Sequence, residues 1–247
     1  MTSPTLAGKI VLVTGASRGI GYQAALEAGR RGAHVIAVAR TVGGLEELDD
    51  EIQAAGGSTT LVPADLREFD SIDRLGRAIF ERWGKLDALV GNAGMLNTVS
   101  PLAHVDPKEF DQVFALNVTA NYRLIRSLDL LLRQSDAGRA LFLSSGVVNR
   151  AQAYWGPYTA TKAALEALVK VYAEEMKSTR VRVNLLNPGP LRTALRAKGW
   201  PGEDAETLQR PGVVAPDIIR MISPDFTETG TLFDFPSGTS KSLVAKG

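Results

Sequence analysis

Tyr158 and Lys162 stand four residues apart, at the head of a segment, Ala163 to Leu168, that reads as helix. Residues at that spacing share one helix face a turn apart, so a phenol and an ammonium are brought side by side. Such a pair can move a proton. A free phenol has a pKa of about 10, and a donor working at neutral pH needs a value nearer ambient. A cation about 4 Å away favours phenolate by roughly 1 to 4 kcal/mol as the effective dielectric falls, which is roughly one to three pKa units. Pro157 suits a first helical turn, which puts Tyr158 near the positive end of the helix dipole and adds to the same shift. The expectation is a phenol acidified by Lys162. Ser144 and Ser145, just upstream, bring hydroxyls that can hydrogen-bond a polarised oxygen, and the residues alone do not choose between them. Tyr-x-x-x-Lys is also a pattern that an ordinary amphipathic helix surface carries, so the elements around it must decide.

Those elements alternate between strand and helix. Lys9 to Thr14 is a nearly continuous β-branched run, as in a strand buried on both faces of a parallel sheet. It runs into Gly15-Ala16-Ser17-Arg18-Gly19-Ile20-Gly21 and then a helical pattern from Tyr22 to Arg31. Glycines after a strand let the backbone approach a pyrophosphate, and the helix that follows directs its unbonded N–H groups and dipole at the phosphates. The next strand, Ala33 to Ala39, ends at Arg40. An acid near that strand end bonds an adenosine ribose, whereas a base accommodates a 2′-phosphate. Arg40, with Arg18 in the glycine turn, therefore points to NADP(H) rather than NAD(H).

Leu45 to Ala55 reads as helix, Thr59 to Pro63 as a third strand, and Glu68 to Trp83 as a further helix. Asp65, between them, either accepts from an adenine amino group or caps that helix. Leu86 to Val90 is a fourth strand ending in the small-residue turn Gly91-Asn92-Ala93-Gly94, which lets backbone approach a cofactor. One long helix is expected from Pro107 to about Arg133, carrying Asn117. Ala140 to Ser145 is a fifth strand that delivers both serines at a carboxyl end, where open α/β sheets bind ligands. Val181 to Leu186 is a sixth, leading into Asn187-Pro188-Gly189-Pro190-Leu191-Arg192-Thr193. The Gly- and Pro-rich stretch 191–216 reads as irregular and as a candidate substrate lid. A short helix near Asp217 to Ile222 and a strand near Thr231 to Phe233 follow.

The chain of 247 residues is 45% hydrophobic with 28 basic and 27 acidic side chains, which suits one α/β domain spanning 1–247. Balanced charge gives no reason to expect nucleic acid or an anionic membrane as a partner. No apolar run approaches the roughly 20 residues of a membrane span, and the opening Met1 to Thr5 does not read as a leader, so the expected location is cytoplasmic. There is no cysteine, and the two histidines, His34 and His104, lie far apart; thiol chemistry is excluded and no metal site is expected.

Motifs in register along nearly the whole chain make it similar to the short-chain dehydrogenase/reductase family, in its single-domain subclass of roughly 250 residues. Thr14 to Gly21 matches the family's T-G-x-x-x-G-x-G loop, Asp65-Leu66 its adenine-side motif and Asn92-Ala93-Gly94 its N-A-G turn, while Pro188-Gly189 with Thr193 resembles the segment gripping the nicotinamide amide and pyrophosphate. Asn117, Ser145, Tyr158 and Lys162 match its catalytic tetrad, and the family's spacing of thirteen residues before the tyrosine selects Ser145 over Ser144. The resemblance implies a Rossmann-type, doubly wound sheet of about seven parallel strands with helices on both faces. It also implies hydride transfer between NADP(H) and a small carbonyl or alcohol substrate, expected mainly as reduction of a ketone, aldehyde or oxoacyl group. Tyr158 then protonates the nascent alkoxide, Ser145 bonds its oxygen, Lys162 lowers the tyrosine pKa and holds ribose hydroxyls, and Asn117 positions a relay water. Met95, Leu96, Val147, Gln152, Trp155 and Leu191 are expected at the substrate pocket. A homo-tetramer or homo-dimer is implied, with the helices 103–133 and 155–177 across a two-fold axis. The tail from Thr229 to Gly238 departs from the family's usual ending and is similar to a bacterial, YciK-like subgroup; the departure bears on oligomer contacts more than on chemistry. The alternative is a non-catalytic NADP(H)-binding sensor or scaffold on the same fold.

Overall fold

The computed structural model describes residues 5–150 and 152–243; Met1 to Pro4, in the stretch read for a leader, lie outside them. Strands β1 (Ile10–Thr14), β2 (His34–Ala39) and β3 (Ser58–Pro63) alternate with helices α1 (Gly19–Arg30) and α2 (Val42–Ala54), and α3 (Phe69–Trp83) leads to β4 (Ala88–Gly91). After α4 (Pro107–Phe114) and α5 (Ala120–Gln134) come β5 (Arg139–Leu143), α6 (Gly156–Glu175) and β6 (Arg182–Asn187). The chain continues through α7 (Ala194–Gly199), α8 (Ala215–Ile222), β7 (Thr231–Asp234) and β8 (Thr239–Ser242). The strands lie in the order β3-β2-β1-β4-β5-β6-β7-β8, so the chain reverses direction across the sheet between β1 and β4. The loops leaving those two strands diverge there and open a crevice at their carboxyl ends.

The continuous apolar runs follow from burial on both faces. Val11 and Val13 join one apolar layer with Ala25 of α1, Leu48 of α2 and Ile218 of α8, while Ile10 and Leu12, pointing the other way, join Ile72 of α3, Leu128 of α5 and Leu165 of α6. Successive side chains of a strand alternate between faces, so each layer takes every second residue of β1. A fully buried Leu or Ile in such a layer stabilises the fold by about 1.5–3 kcal/mol.

The described residues contain the expected seven parallel strands, and three local expectations are corrected. An eighth strand pairs antiparallel with β7; Thr239–Ser242 is polar and exposed throughout, so it carried no apolar alternation from which to read it. The long helix expected from Pro107 is interrupted at Ala115–Thr119 by a wider π-helical turn, which holds Asn117. The stretch read as irregular after Leu191 contains α7, with Thr193 as its cap accepting from Arg196 N at 3.2 Å.

Candidate active site

The turn between β1 and α1 is set by its glycines. Gly15 and Gly19 take φ of +66° and +62°, left-handed backbone that glycine adopts at no steric cost. At Gly21 the constraint is space, because a Cβ would overlap the Gly15 carbonyl oxygen and the Asn92 amide. The first-turn N–H groups of α1 have no side-chain cap, which leaves orphan donors and the positive dipole end facing the crevice, as an anion requires. Thr14 ties this turn to the end of β4: its hydroxyl oxygen accepts from Asn92 N and Ala93 N, both at 3.0 Å.

At the far end of the crevice Arg18 is exposed, and the Arg40 side chain is 59% exposed with its guanidinium 3.8 Å from Asp65. Asp65 is engaged by a residue that sequence reading passed over. Arg67 donates to it through Nη2 at 2.6 Å and through its backbone N–H at 3.0 Å, and these bonds hold the carboxyl below its ordinary pKa. The capping alternative is corrected, since α3 begins at Phe69 with Glu68 at its N-cap position and no side-chain cap bond.

At the near end the catalytic candidates converge. Asn117 is fully buried: its Oδ1 accepts from Met95 N at 2.9 Å, and its Nδ2 donates to Met95 O at 2.9 Å and to Thr161 Oγ1 at 3.0 Å. It clamps the loop after β4 onto α6. Ser144 donates its hydroxyl to Glu166, which leaves Ser145 as the serine beside Tyr158. Lys162 is 4% exposed and donates to the Leu143 carbonyl at 2.8 Å. Burial pushes the Tyr158 phenol up to about 12, with the Ser145 hydrogen bond pulling it down. Burial also draws the Lys162 ammonium down to about 8, against the field of Glu166. The expected acidification of Tyr158 by Lys162 is therefore corrected. Lys162 Nζ lies 5.8 Å from the ring centroid, and desolvation of the phenol outweighs any help from it.

The two ends share one cavity of about 1130 Å³. All of the cofactor candidates line it except Gly21, which packs beneath the glycine turn, and Ser145, Tyr158 and Lys162 line it with them. Asn117 lies behind the wall. Leu66 and Ile20 form part of the apolar lining, and Thr193 comes within 3.6 Å of where a Gly19 Cβ would stand, across the cavity mouth from the glycine turn. The six expected pocket residues are all on the wall. Trp155 meets Tyr158 edge-on at 5.8 Å and Trp200 at 4.0 Å between centroids.

The family model for short chain dehydrogenases matches residues 9–204. The chain belongs to the short chain dehydrogenase family. It is 37% identical to the uncharacterized oxidoreductase YciK of Escherichia coli K12 over 95% of this chain and 94% of that one. It is 32% identical to an NADPH-dependent pterin aldehyde reductase of Arabidopsis thaliana, over 88% of each. Among solved structures, one described as a short chain dehydrogenase of Escherichia coli CFT073 complexed with NADPH superposes with a TM-score of 0.88 at 35% identity, covering 95% of this chain and 99% of that one.

For a short chain dehydrogenase the residues missed in sequence are informative. Glu166 is one helical turn beyond Lys162, a spacing that the Tyr158–Lys162 argument itself makes visible. Arg67 and Trp200 gave no such signal, because they meet the site through turns whose paths are set by tertiary packing. His34 bonds the Ser58 and Thr60 hydroxyls at 2.8 and 2.9 Å, and the described residues contain no cluster of three metal-ligating side chains. No helix among them is long and apolar enough to cross a membrane.

Proposed function

We propose that this oxidoreductase uses NADP(H) and works as a reductase of a ketone, aldehyde or oxoacyl group. One observation carries the reading: an anion-binding glycine turn with two arginines and a serine–tyrosine–lysine constellation open into the same cavity. The residues fit the cofactor, because side chains at Gly15, Gly19 and Gly21 would intrude on the backbone cradle or strain it, and Arg18 and Arg40 present donors suited to a 2′-phosphate. The NADPH complex of the Escherichia coli relative and the NADPH-dependent pterin aldehyde reductase support the same choice.

When bound, NADP(H) supplies the hydride. The chain's own residues manage the oxygen. Tyr158, held up at about 12, keeps its proton at neutral pH and donates it from Oη to the nascent alkoxide, the state a reductase needs. Ser145 donates a hydrogen bond to the same oxygen and stabilises its charge. Lys162 supplies a cation close to the phenol and a donor for ribose hydroxyls, while Asn117 holds the N-A-G loop in place. Asp65 with Leu66 would border the adenine, and Pro188-Gly189 with Thr193 would grip the nicotinamide amide and pyrophosphate, all of them on the cavity wall. The segment 191–216 acts as the lid: within it Trp200 is held by Arg196 stacked at 3.5 Å, itself paired with Glu203 at 2.6 Å. Leu96, Val147 and Trp155 give an apolar pocket with an aromatic wall, suited to a medium-sized carbonyl compound. The chain works as a single domain in the cytoplasm and as a homo-oligomer, with α5 and α6 at the interface, where Tyr122, Leu130 and Val171 are exposed at 49%, 72% and 56%.

The test is a carbonyl panel followed by NADPH absorbance, with calorimetric titration of NADPH and NADH. Turnover of at least one carbonyl together with tighter NADPH binding is expected. No turnover combined with no NADPH binding would overturn the reading.

A further inference from the structure

The C-terminal hairpin meets the site at the Asn187 side-chain amide. Asn187, at the end of β6, is 8% exposed and pairs in register with Asp234 of β7. Its Nδ2 donates to Asp234 Oδ1 at 2.6 Å, and its Oδ1 accepts from Gly189 N at 3.1 Å. The orientation is forced. An ionised carboxylate can only accept, so Asp234 draws the NH₂ end of the amide and turns its oxygen toward the Gly189 N–H. Asp234 is itself fixed by Ser237, which donates its hydroxyl at 2.6 Å and its backbone N–H at 3.3 Å. Those bonds and the one from Asn187 hold its carboxyl below the ordinary range, so it is ionised at neutral pH.

The same amide backs two turns of the cavity. Gly189 stands at φ +69°, and a Cβ there would overlap the Pro236 ring, so the hairpin tip presses on the Pro188–Gly189 turn. On the other side a Cβ at Gly146, next to Ser145, would come within 3.3 Å of Asn187 Nδ2. Asp234 and Pro236 themselves line the cavity.

We propose that Asp234 is a positioning residue for the reaction: by orienting the Asn187 amide, the C-terminal hairpin sets the Pro188–Gly189 turn and the turn that follows Ser145. This rests on the reading of Pro188–Gly189 as the nicotinamide grip. The tail is then part of the reaction site, where sequence reading gave it to oligomer contacts.

The experiment is a reciprocal exchange. Asp234→Asn keeps the shape but can present an NH₂ group to Asn187, and Asn187→Asp sets two carboxylates against each other. The double variant Asn187→Asp/Asp234→Asn restores a donor facing an acceptor and leaves an oxygen for the Gly189 N–H. Each single variant is expected to raise KM for NADPH about 10-fold, the loss of one hydrogen bond to a charged group, and the double variant to recover most of it. Amide hydrogen exchange of cofactor-free protein supplies a readout independent of NADPH: Gly189 exchanges faster in the single variants and recovers protection in the double. Singles that leave Gly189 protection unchanged, or a double no better than its worse single, would overturn the proposal. So would a loss of thermal stability with KM unchanged, which is what a merely structural bond produces. Failure of the wild type to bind NADPH would instead overturn the cofactor reading, and the exchange measurement would still decide this one.

Discussion

The two ends of the cavity are built on opposite electrostatic plans. At the arginine end, Arg40 is more than half exposed and meets Asp65 only at 3.8 Å, so its charge acts through water and is screened by salt. At the tyrosine end, Tyr158 and Lys162 are 6% and 4% exposed, and burial moves both toward their neutral forms. Charge type alone decides what the first end attracts. At the second, the environment decides what the charges are: the same phenol and ammonium on a solvated helix would titrate near their ordinary values.

The strongest way to test that contrast is to remove the buried phenol's proton. Tyr158→Phe should lower kcat by about 10²- to 10⁴-fold, the usual worth of a general acid, with NADPH binding retained in calorimetry. Activity near wild type would show that another group delivers the proton.

Next in size is the stability cost of the buried ammonium. Lys162 falls from 10.5 in the unfolded chain to about 8 in the folded one, so between those values the unfolded chain binds more protons and stability rises with pH. Urea unfolding at pH 7.5 and pH 10 should show the wild type gaining about 2 kcal/mol relative to Lys162→Met. The window closes above about pH 10, where Tyr158, raised to about 12, contributes with the opposite sign because the unfolded phenol ionises first. A pH-independent difference between the two proteins would mean that the ammonium is not desolvated.

At the exposed end, Arg40→Asp should weaken NADPH binding about 10-fold and improve NADH binding, since a charge-assisted bond to a phosphate is lost and an acceptor for ribose is gained. The wild-type KM for NADPH should also rise with salt. An unchanged preference would place discrimination on Arg18 or Arg67. The smallest expected effect is that of Glu166→Gln, which removes the anion that favours charged Lys162. The Lys162 pKa then falls further, and the alkaline limb of the kcat/KM profile moves to lower pH. A limb that stays in place would remove Glu166 from the lysine's surroundings.

Much of this was legible without coordinates because it depends on local rules. Apolar runs between glycine turns placed the seven parallel strands, and Gly15, Gly19 and Gly21 announced a turn that a side chain would strain or crowd. What escaped were features without a local signature. The polar strand β8 exists because β7 offers it an edge, and the widened turn at Asn117 interrupts a run that reads as helix throughout. The choice of Ser145 came from family spacing, and in the fold it is matched by Glu166 taking Ser144.

The amino-acid order by itself determined which chemistry could be present, because residue types and their spacing along strands and helices specify donors, acceptors and a phosphate-sized turn. Only the tertiary structure decided the state in which that chemistry is held. Desolvation, which depends on everything packed around a group and not on its neighbours in sequence, raised Tyr158 where the Tyr158–Lys162 spacing alone had lowered it. The same long-range packing set Arg67 on Asp65 and Asp234 on the Asn187 amide behind the Pro188–Gly189 turn.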